Sequence, residues 1–402
     1  MENMSSWRAR HPVLVSDAHA LGSIAAIRSL GRAGYPVHAM ATNSSAMGLR
    51  SSFARWRTVC PAYSDSGFID WLRGYIGRNR IEAIVPSEGL LLAICPHFDE
   101  FAPLLPCPSK DILLRGLSKF DVATALMSGP AASHLPPTLL VDFSRELPTH
   151  EQLETLGLPL FLKLDASHGL RSSDGFVEKL NSVQAARDRL ATLAREYRCA
   201  TVQGFVPGKG VGVFFLRWQG RILAEFMHRR LHEVPHTGGA SSLRESWFHE
   251  GIRNDALAKL TALDWQGVAM MEYRWDAASG NYYLMEMNGR FWGSLHLALY
   301  AGVDFPTLLL DALHGRAQPA VTRYRRGVRC RNTFPADMRY LWSRLKDAGL
   351  PAGAKIWSAL ECVLLSLDPR VRADLLFPSD RGLYWQSLRR WLREQFWQSS
   401  RP

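Results

Sequence analysis

Cysteine is scarce and scattered, with six residues at positions 60, 95, 107, 199, 330 and 362, no CxxC pair and no spacing that fits a common zinc site. That excludes a disulfide framework and a small zinc module, and it leaves free thiols, as expected in a reducing cytoplasm. Nowhere does an apolar run approach the ~18 residues that a membrane-spanning helix needs. The opening MENMSSWRARHPVLVSD lacks the long apolar region and small-residue cleavage site of a secretory signal, so the expected location is cytoplasmic. The first strand–helix turn, SDAHALGS, lacks G-x-G-x-x-G, which argues against a dinucleotide site there. There is no internal repeat and no low-complexity linker. Acidic residues are in deficit, at 37 against 48 Lys and Arg. No zinc-finger spacing or RNP-type aromatic strand accompanies the positive charge, so no nucleic-acid partner is expected.

What is present fits a protein with a substantial core. The chain has 402 residues, of which 47% are apolar, enough for two or three domains. The net charge of +11 is uneven: Pro319–Pro402 holds 16 Lys/Arg against 7 Asp/Glu. The basic balance therefore belongs to the tail.

From Pro12 to about Pro108 strand and helix signals alternate. VLVS, YPVHAMA and EAIVPS read as strands, and SIAAIRSLGRAG and FIDWLRGYIGRN as helices, the first ending at Gly34. That order predicts a small parallel sheet with crossover helices. DILLRGLSKFDVATALM reads as one helical segment, LPLFLK as a strand and residues 182–197 as a helix. TVQGFV, VGVFFLRW and RILAEFMHRR read as successive strands. GVAMMEYRW and YYLMEMN form the arms of a predicted hairpin.

That hairpin carries the most chemistry. Pairing about a loop centred near Ser279 sets Glu272 opposite Glu286, where like charges ~5 Å apart are destabilising. Apolar neighbours argue against free solvation, so the pair needs a shared proton, a basic partner or a cation. Asn288 lies two residues beyond Glu286, on the same face. Two carboxylates and an amide oxygen are hard ligands of the kind that hold Mg²⁺ on nucleotide phosphates. The competing reading is an amphipathic hairpin whose solvent face carries two Glu and an Asn.

GVAMMEYRW followed by YYLMEMNGRFWGSLHLALYAGVDFP resembles the metal-binding end of ATP-grasp enzymes, in particular those similar to carbamoyl-phosphate synthase large-subunit domains. The resemblance covers roughly residues 12–318. It implies an α/β and α+β architecture: a pre-ATP-grasp parallel α/β domain at 12–108, an ATP-grasp domain of two α+β subdomains at 109–318, and a basic, Trp-rich helical extension at 319–402. By the same resemblance Glu272, Glu286 and Asn288 are metal ligands. Arg290 matches an arginine near the transferred phosphate. Lys119 and Lys163 match the two nucleotide-binding lysines, and Gln203 and Val206 fall on the hinge strand that meets adenine. The cofactors implied are ATP and Mg²⁺, with Mn²⁺ as the alternate ion. The implied activity is carboxylate–amine ligation through an acyl phosphate, on small-molecule carboxylate and amine substrates. A phosphotransferase that stops at the phosphorylated carboxylate, or a catalytically silent nucleotide-binding regulator, are the alternatives.

Each match also has a physical reading. Lys163 lies among Leu and Phe, where an unpaired ammonium is costly and phosphates supply the missing charge; a lysine snorkelling to water is the bland alternative. SHGLRSSDG offers small and hydroxyl residues for close approach to phosphate. The chain departs from the family at Ser118, where an Asp is usual, at Gly204, where many relatives have glutamate, and at Lys209–Gly212, where a ribose-binding acid is missing.

His228, His232 and His236 recur every four residues, but RILAEFMHRR reads as a strand, where that spacing spans ~13 Å, and Pro235 breaks any helix; zinc is rejected. HRRLHEVPHTGGASSLRES is read instead as a basic loop beside the active site, with Arg229, Arg230 and Arg244 steadying phosphate or carboxylate, Arg230 being taken as catalytic. In the tail, Tyr384, Leu388, Trp391, Leu392 and Gln395 share one face of a helix over 383–398. Docking of that helix onto the protein's own body is favoured over peripheral membrane contact.

Overall fold

Short β-branched and alanine-rich runs build the N-terminal sheet in the computed structural model, which describes residues 3–170, 175–236, 239–316 and 318–398. β1 (Val13–Val15), β2 (Val37–Ala41), β3 (Trp56–Val59) and β4 (Ala83–Val85) form a parallel sheet in the order β3-β2-β1-β4. β3, a strand that sequence periodicity did not mark, is largely exposed. The crossover helix Leu21–Ala33 ends at Gly34, whose φ of 102° closes the helix in the left-handed conformation that glycine adopts without strain.

Contacts divide the chain into two units. One comprises residues 1–106, 215–248 and 290–402, the other 107–214 and 249–289. The second unit carries β5 (Thr138–Asp142), β6 (Leu160–Leu164), β7 (Phe176–Leu180) and β8 (Cys199–Gly204), an antiparallel sheet ordered β5-β8-β6-β7. Alternation along these strands gives the sheet two different faces. Leu160, Leu162, Leu164, Ala200 and Val202 pack with Leu190 and Leu193 of the helix Val183–Leu193 in a dry cluster. Each buried leucine there contributes about 2–3 kcal/mol of apolar burial. Lys163, Thr201 and Gln203 alternate with those residues and so lie on the other face.

β9 (Lys209–Trp218) carries the chain out of the second unit into the first, where β10 (Arg221–Val234) pairs with β11 (Ala240–Ser246). The chain then returns to the second unit for the hairpin of β12 (Gly267–Trp275) and β13 (Tyr282–Asn288). In the first unit the order continues β10-β11-β14-β15, with β14 Arg329–Arg331 and β15 Val371–Ala373.

Three expectations need correction. The segment read as one helix is two, Lys110–Leu117 and Lys119–Met127, because Ser118 takes an extended conformation and caps the second helix through the Asp121 N–H. The segment read as a basic loop is the β10–β11 hairpin, whose turn is short because the strand pairing runs from His228 to Val234. Its arginines are engaged: Arg244, 1% exposed, grips both oxygens of Asp374 at 2.6 and 2.7 Å, and Arg229 donates to Glu245 at 2.7 Å. The tail helix Gly382–Gln398 turns inward a stripe that overlaps the expected one but is displaced from it: Leu383 and Ser387 are buried, the rings of Tyr384 and Trp391 lie 5.8 and 5.2 Å from Phe334, and Leu392 is exposed.

Candidate active site

A pocket holding about 470 Å³ of unfilled space, its open mouth included, lies within the second unit. Its polar floor comes from the sheet face opposite the leucine core: strand register sets Gln203 against Thr138 and Thr201 against Lys163. Its apolar wall comes from the helix Lys119–Met127, through Val122, Ala123, Leu126 and Met127, together with Leu284 and Met287 of β13.

Floor and wall differ in what they leave unsatisfied. The Gln203 amide nitrogen donates to Thr138 Oγ1 at 3.1 Å, but Gln203 Oε1 and Thr201 Oγ1 are buried and have no hydrogen-bond partner among the described residues. A buried acceptor without a donor is costly, so these atoms are suited to a ligand amine. A flat heterocycle bearing an exocyclic amine satisfies both the apolar wall and the free carbonyl.

At the end of this floor stands Lys163, 8% exposed, with its Nζ 3.2 Å from the Met285 carbonyl oxygen. Burial pushes its pKa down, with the Glu286 and Glu272 carboxylates pulling it back up and Lys119 opposing them. Met285 is available because β13 bulges there: Glu272 pairs with Glu286, but the next pair is Tyr273 with Leu284, which leaves Met285 without an opposite residue. The pairing expected from a symmetric hairpin thus applies from Met270 to Glu272 and shifts by one residue towards the loop. Asn288 donates to Glu286 Oε1 at 3.0 Å, on the same face. Two half-buried carboxylates directly opposed across the ladder, with an amide beside them and an ammonium nearby, form a compact set of hard oxygen donors that suits a divalent cation.

Lys119 is the first residue of its helix, and its Nζ lies 3.5 Å from Asp165 Oδ1. Asp165 is two residues beyond Lys163, and its other oxygen accepts from Ser118 Oγ and the Phe120 N–H at 3.1 and 3.0 Å. Asp165 therefore supplies beside Lys119 the acid that Ser118 does not. His168 extends this network, with Nε2 3.0 Å from both Ser118 Oγ and Asp121 Oδ2. Hydrogen bonds to Asp121 and Cys199 push its pKa up to about 10, so it carries a positive charge at neutral pH. Neither Asp165 nor His168 stood out in the sequence, because their partners are more than thirty residues away. Of the loop after Lys163, residues 171–174 lie outside the described residues.

Two glycines hold this arrangement. A Cβ on Gly204 would fall 1.9 Å from the Leu156 carbonyl oxygen, which accounts for glycine at this position. A Cβ on Gly289, just after Asn288, would fall 2.2 Å from the Trp265 ring.

The other residues singled out from sequence stand apart from the lining. Val206 is buried but does not line the pocket. Arg290 and Arg230 belong to the first unit, where Arg290 Nε is 3.5 Å from Glu88 and Arg230 donates to the Gly239 carbonyl at 2.8 Å. Each histidine of the rejected zinc set has its own neighbour: His228 meets Ser294, His232 Asp337 and His236 Asp347. His11, Glu82 and His314 bring ligand atoms within 4.8 Å of one another. The rings of His11 and His314 stack at an interplanar angle of 25°, so their in-plane lone pairs run nearly parallel instead of converging on an ion.

Residues 198–334 match the family described as ATP-grasp in the biosynthetic pathway with Ter operon. Among solved structures, biotin carboxylase from Campylobacter jejuni superposes with a TM-score of 0.60 at 16% identity, covering 79% of this chain and 74% of that one. The N5-carboxyaminoimidazole synthetase from Staphylococcus aureus, complexed with ADP, gives 0.57 at 16% identity, covering 79% and 80%. The L-amino acid ligase from Bacillus licheniformis gives 0.55 at 15% identity, covering 77% of each chain. No curated protein matches the sequence. The fold is the ATP-grasp fold. Within it this chain is similar to ligases and carboxylases, with its family match confined to residues 198–334, about a third of the chain.

Proposed function

We propose that this protein is an ATP-dependent ligase that activates a small-molecule carboxylate as an acyl phosphate and transfers the acyl group to an amine. The observation that carries this reading is the buried ammonium of Lys163 at the end of an apolar pocket, next to an opposed pair of glutamates. In this reading Leu126, Met127 and Leu284 sandwich the adenine, with Gln203 Oε1 accepting from its amine and the segment around Val206 bordering its edge. Lys119 and Lys163 neutralise the phosphates, and Glu272, Glu286 and Asn288 are the residues that would hold Mg²⁺. Magnesium bound there supplies charge neutralisation and alignment of the transferring phosphoryl group. Arg290 and Arg230, expected from sequence to be catalytic, belong to the first unit and are proposed only as anion-binding side chains there. The chain's own contribution is positioning and fixed charge, the larger part of catalysis in phosphoryl transfer.

The test is ADP release from ATP over a panel of carboxylates crossed with amines. Release that needs both substrates identifies a ligase; release with carboxylate alone identifies a phosphotransferase; no release with any pair removes the proposal. In the active combination, Glu286→Gln should lower Mg²⁺-dependent turnover by about 10²–10³-fold with the melting temperature unchanged. Wild-type turnover in that variant sinks the metal assignment.

A further inference from the structure

The helix Ala352–Leu367 in the first unit is built inside out. Its inward side is polar: Ser358 is 3% exposed and accepts from Arg344 Nε at 3.0 Å, and Glu361 lies 3.6 Å from His232. Ser366 lies 3.2 Å from Arg331. Its outward side is apolar. Ile356, Leu360, Val363, Leu364 and Leu367 are between 46% and 74% exposed, and Trp357 at their edge is 57% exposed. Those five fall at i, i+4, i+7, i+8 and i+11, a continuous stripe along a helix roughly 24 Å long. Water is the wrong neighbour for such a stripe, and exposed apolar faces of this extent mark partner or membrane surfaces.

The surrounding charge says which. The acids on this helix and its neighbours have polar partners: Asp347 meets His236, Glu361 lies 3.6 Å from His232, and Asp368 pairs with Arg370. Among the described residues no ion pair engages Arg339, Lys346, Lys355 or Arg372, and all but Lys355 are exposed. Exposed Trp342 sits beside Lys346 on the adjoining helix Met338–Lys346. An apolar stripe with Trp357 at its edge, Lys355 on the same helix, and Trp342 and Lys346 on the adjoining one is complementary to an anionic bilayer interface, where the stripe enters the acyl boundary and the cations meet head groups. A second copy of the chain would set like charges against each other across the same face. Among the described residues no helix is long and apolar enough to cross a membrane, and the contact envisaged is peripheral.

We propose that the helix Ala352–Leu367 docks the protein on an anionic lipid surface through Ile356, Trp357, Leu360, Val363, Leu364 and Leu367. The tail helix Gly382–Gln398, by contrast, turns Leu383 and Trp391 towards its own unit. Co-sedimentation of the full chain with phosphatidylglycerol–phosphatidylcholine vesicles, against phosphatidylcholine alone, tests this. The wild type should pellet with the anionic vesicles at low salt and be released at high salt. L360E/L364E should lower partitioning by about tenfold or more with unchanged circular dichroism, since both side chains are already in water. K346E/R372E should remove the preference for anionic lipid. Failure of the wild type to pellet overturns the proposal, and so does wild-type partitioning by L360E/L364E. A concentration-dependent dimer that L360E/L364E dissolves assigns the face to self-association and overturns it equally. None of these outcomes depends on ligase activity.

Discussion

Lys163 shows how far a single residue can be read before its surroundings are known. Its place among leucines and a phenylalanine marked it as unusual, and strand alternation fixed which side of the sheet it occupies. Its neighbours were not visible. The Met285 carbonyl reaches it because β13 bulges, and a bulge leaves no clear mark in a run such as YYLMEMN. Its depressed pKa means that the folded state carries the ammonium at a cost in the absence of a counter-charge. Lys163→Met keeps the stem and removes the charge, so the apo protein should melt at the same temperature or higher at neutral pH. ATP affinity should fall by roughly tenfold or more, the loss of one charge-assisted contact. Isothermal titration with ATP and a thermal melt read both quantities, and unfolding of the variant without a nucleotide effect rejects the phosphate role.

At the scale of elements, the antiparallel sheet β5-β8-β6-β7 separates a leucine core on one face from a ligand floor on the other. Two-residue periodicity made part of that division legible: in TVQGFV Thr201 and Gln203 alternate with Val202, while in LPLFLK only Lys163 breaks an apolar run. The departure at Gly204 was not legible, since it depends on the Leu156 carbonyl packing against β8 from a helix end that no local pattern points to. Gly204→Ala forces a Cβ into that carbonyl, and backbone must move. The expected loss is about 1–3 kcal/mol in urea denaturation, as for overpacked sites. A variant as stable as wild type would show that the close approach is relieved at no cost.

Across the whole molecule, the basic tail is tied into its unit by buried arginine–aspartate contacts made over long sequence distances. Arg28, fully buried, donates to Asp380 Oδ2 at 2.8 Å and to the carbonyls of Asp374, Leu375 and Asp380 at 2.8–3.1 Å. Ile24 of the same helix packs with Leu375 and Leu383. Arg28→Met should cost about 3–5 kcal/mol in chemical denaturation, because it leaves three buried carbonyls without this donor and the Asp380 carboxylate, still bonded to Ser51 and Ser52, without its counter-charge. Loss of less than about 1 kcal/mol would mean that the tail is held without this clamp. Arithmetic on charge alone gave a basic extension. It did not show that Asp337, Asp374 and Asp380 serve buried arginines while the unmatched cations gather near an apolar stripe.

Sequence by itself determined the elements whose information is local. Three of the four parallel N-terminal strands, the strand faces of Lys163 and Gln203, and the opposition of Glu272 to Glu286 follow from periods of two and 3.6 residues and from turn position. The tertiary structure alone decided everything that depends on residues distant in the chain. It supplied Asp165 to stand beside Lys119, broke one helical segment into two at Ser118, and engaged Arg244 with Asp374. It also left the stripe from Ile356 to Leu367 facing solvent. A helical period states that such a stripe exists, but which way it faces is set by the polar contacts of Ser358, Glu361 and Ser366 on the opposite side.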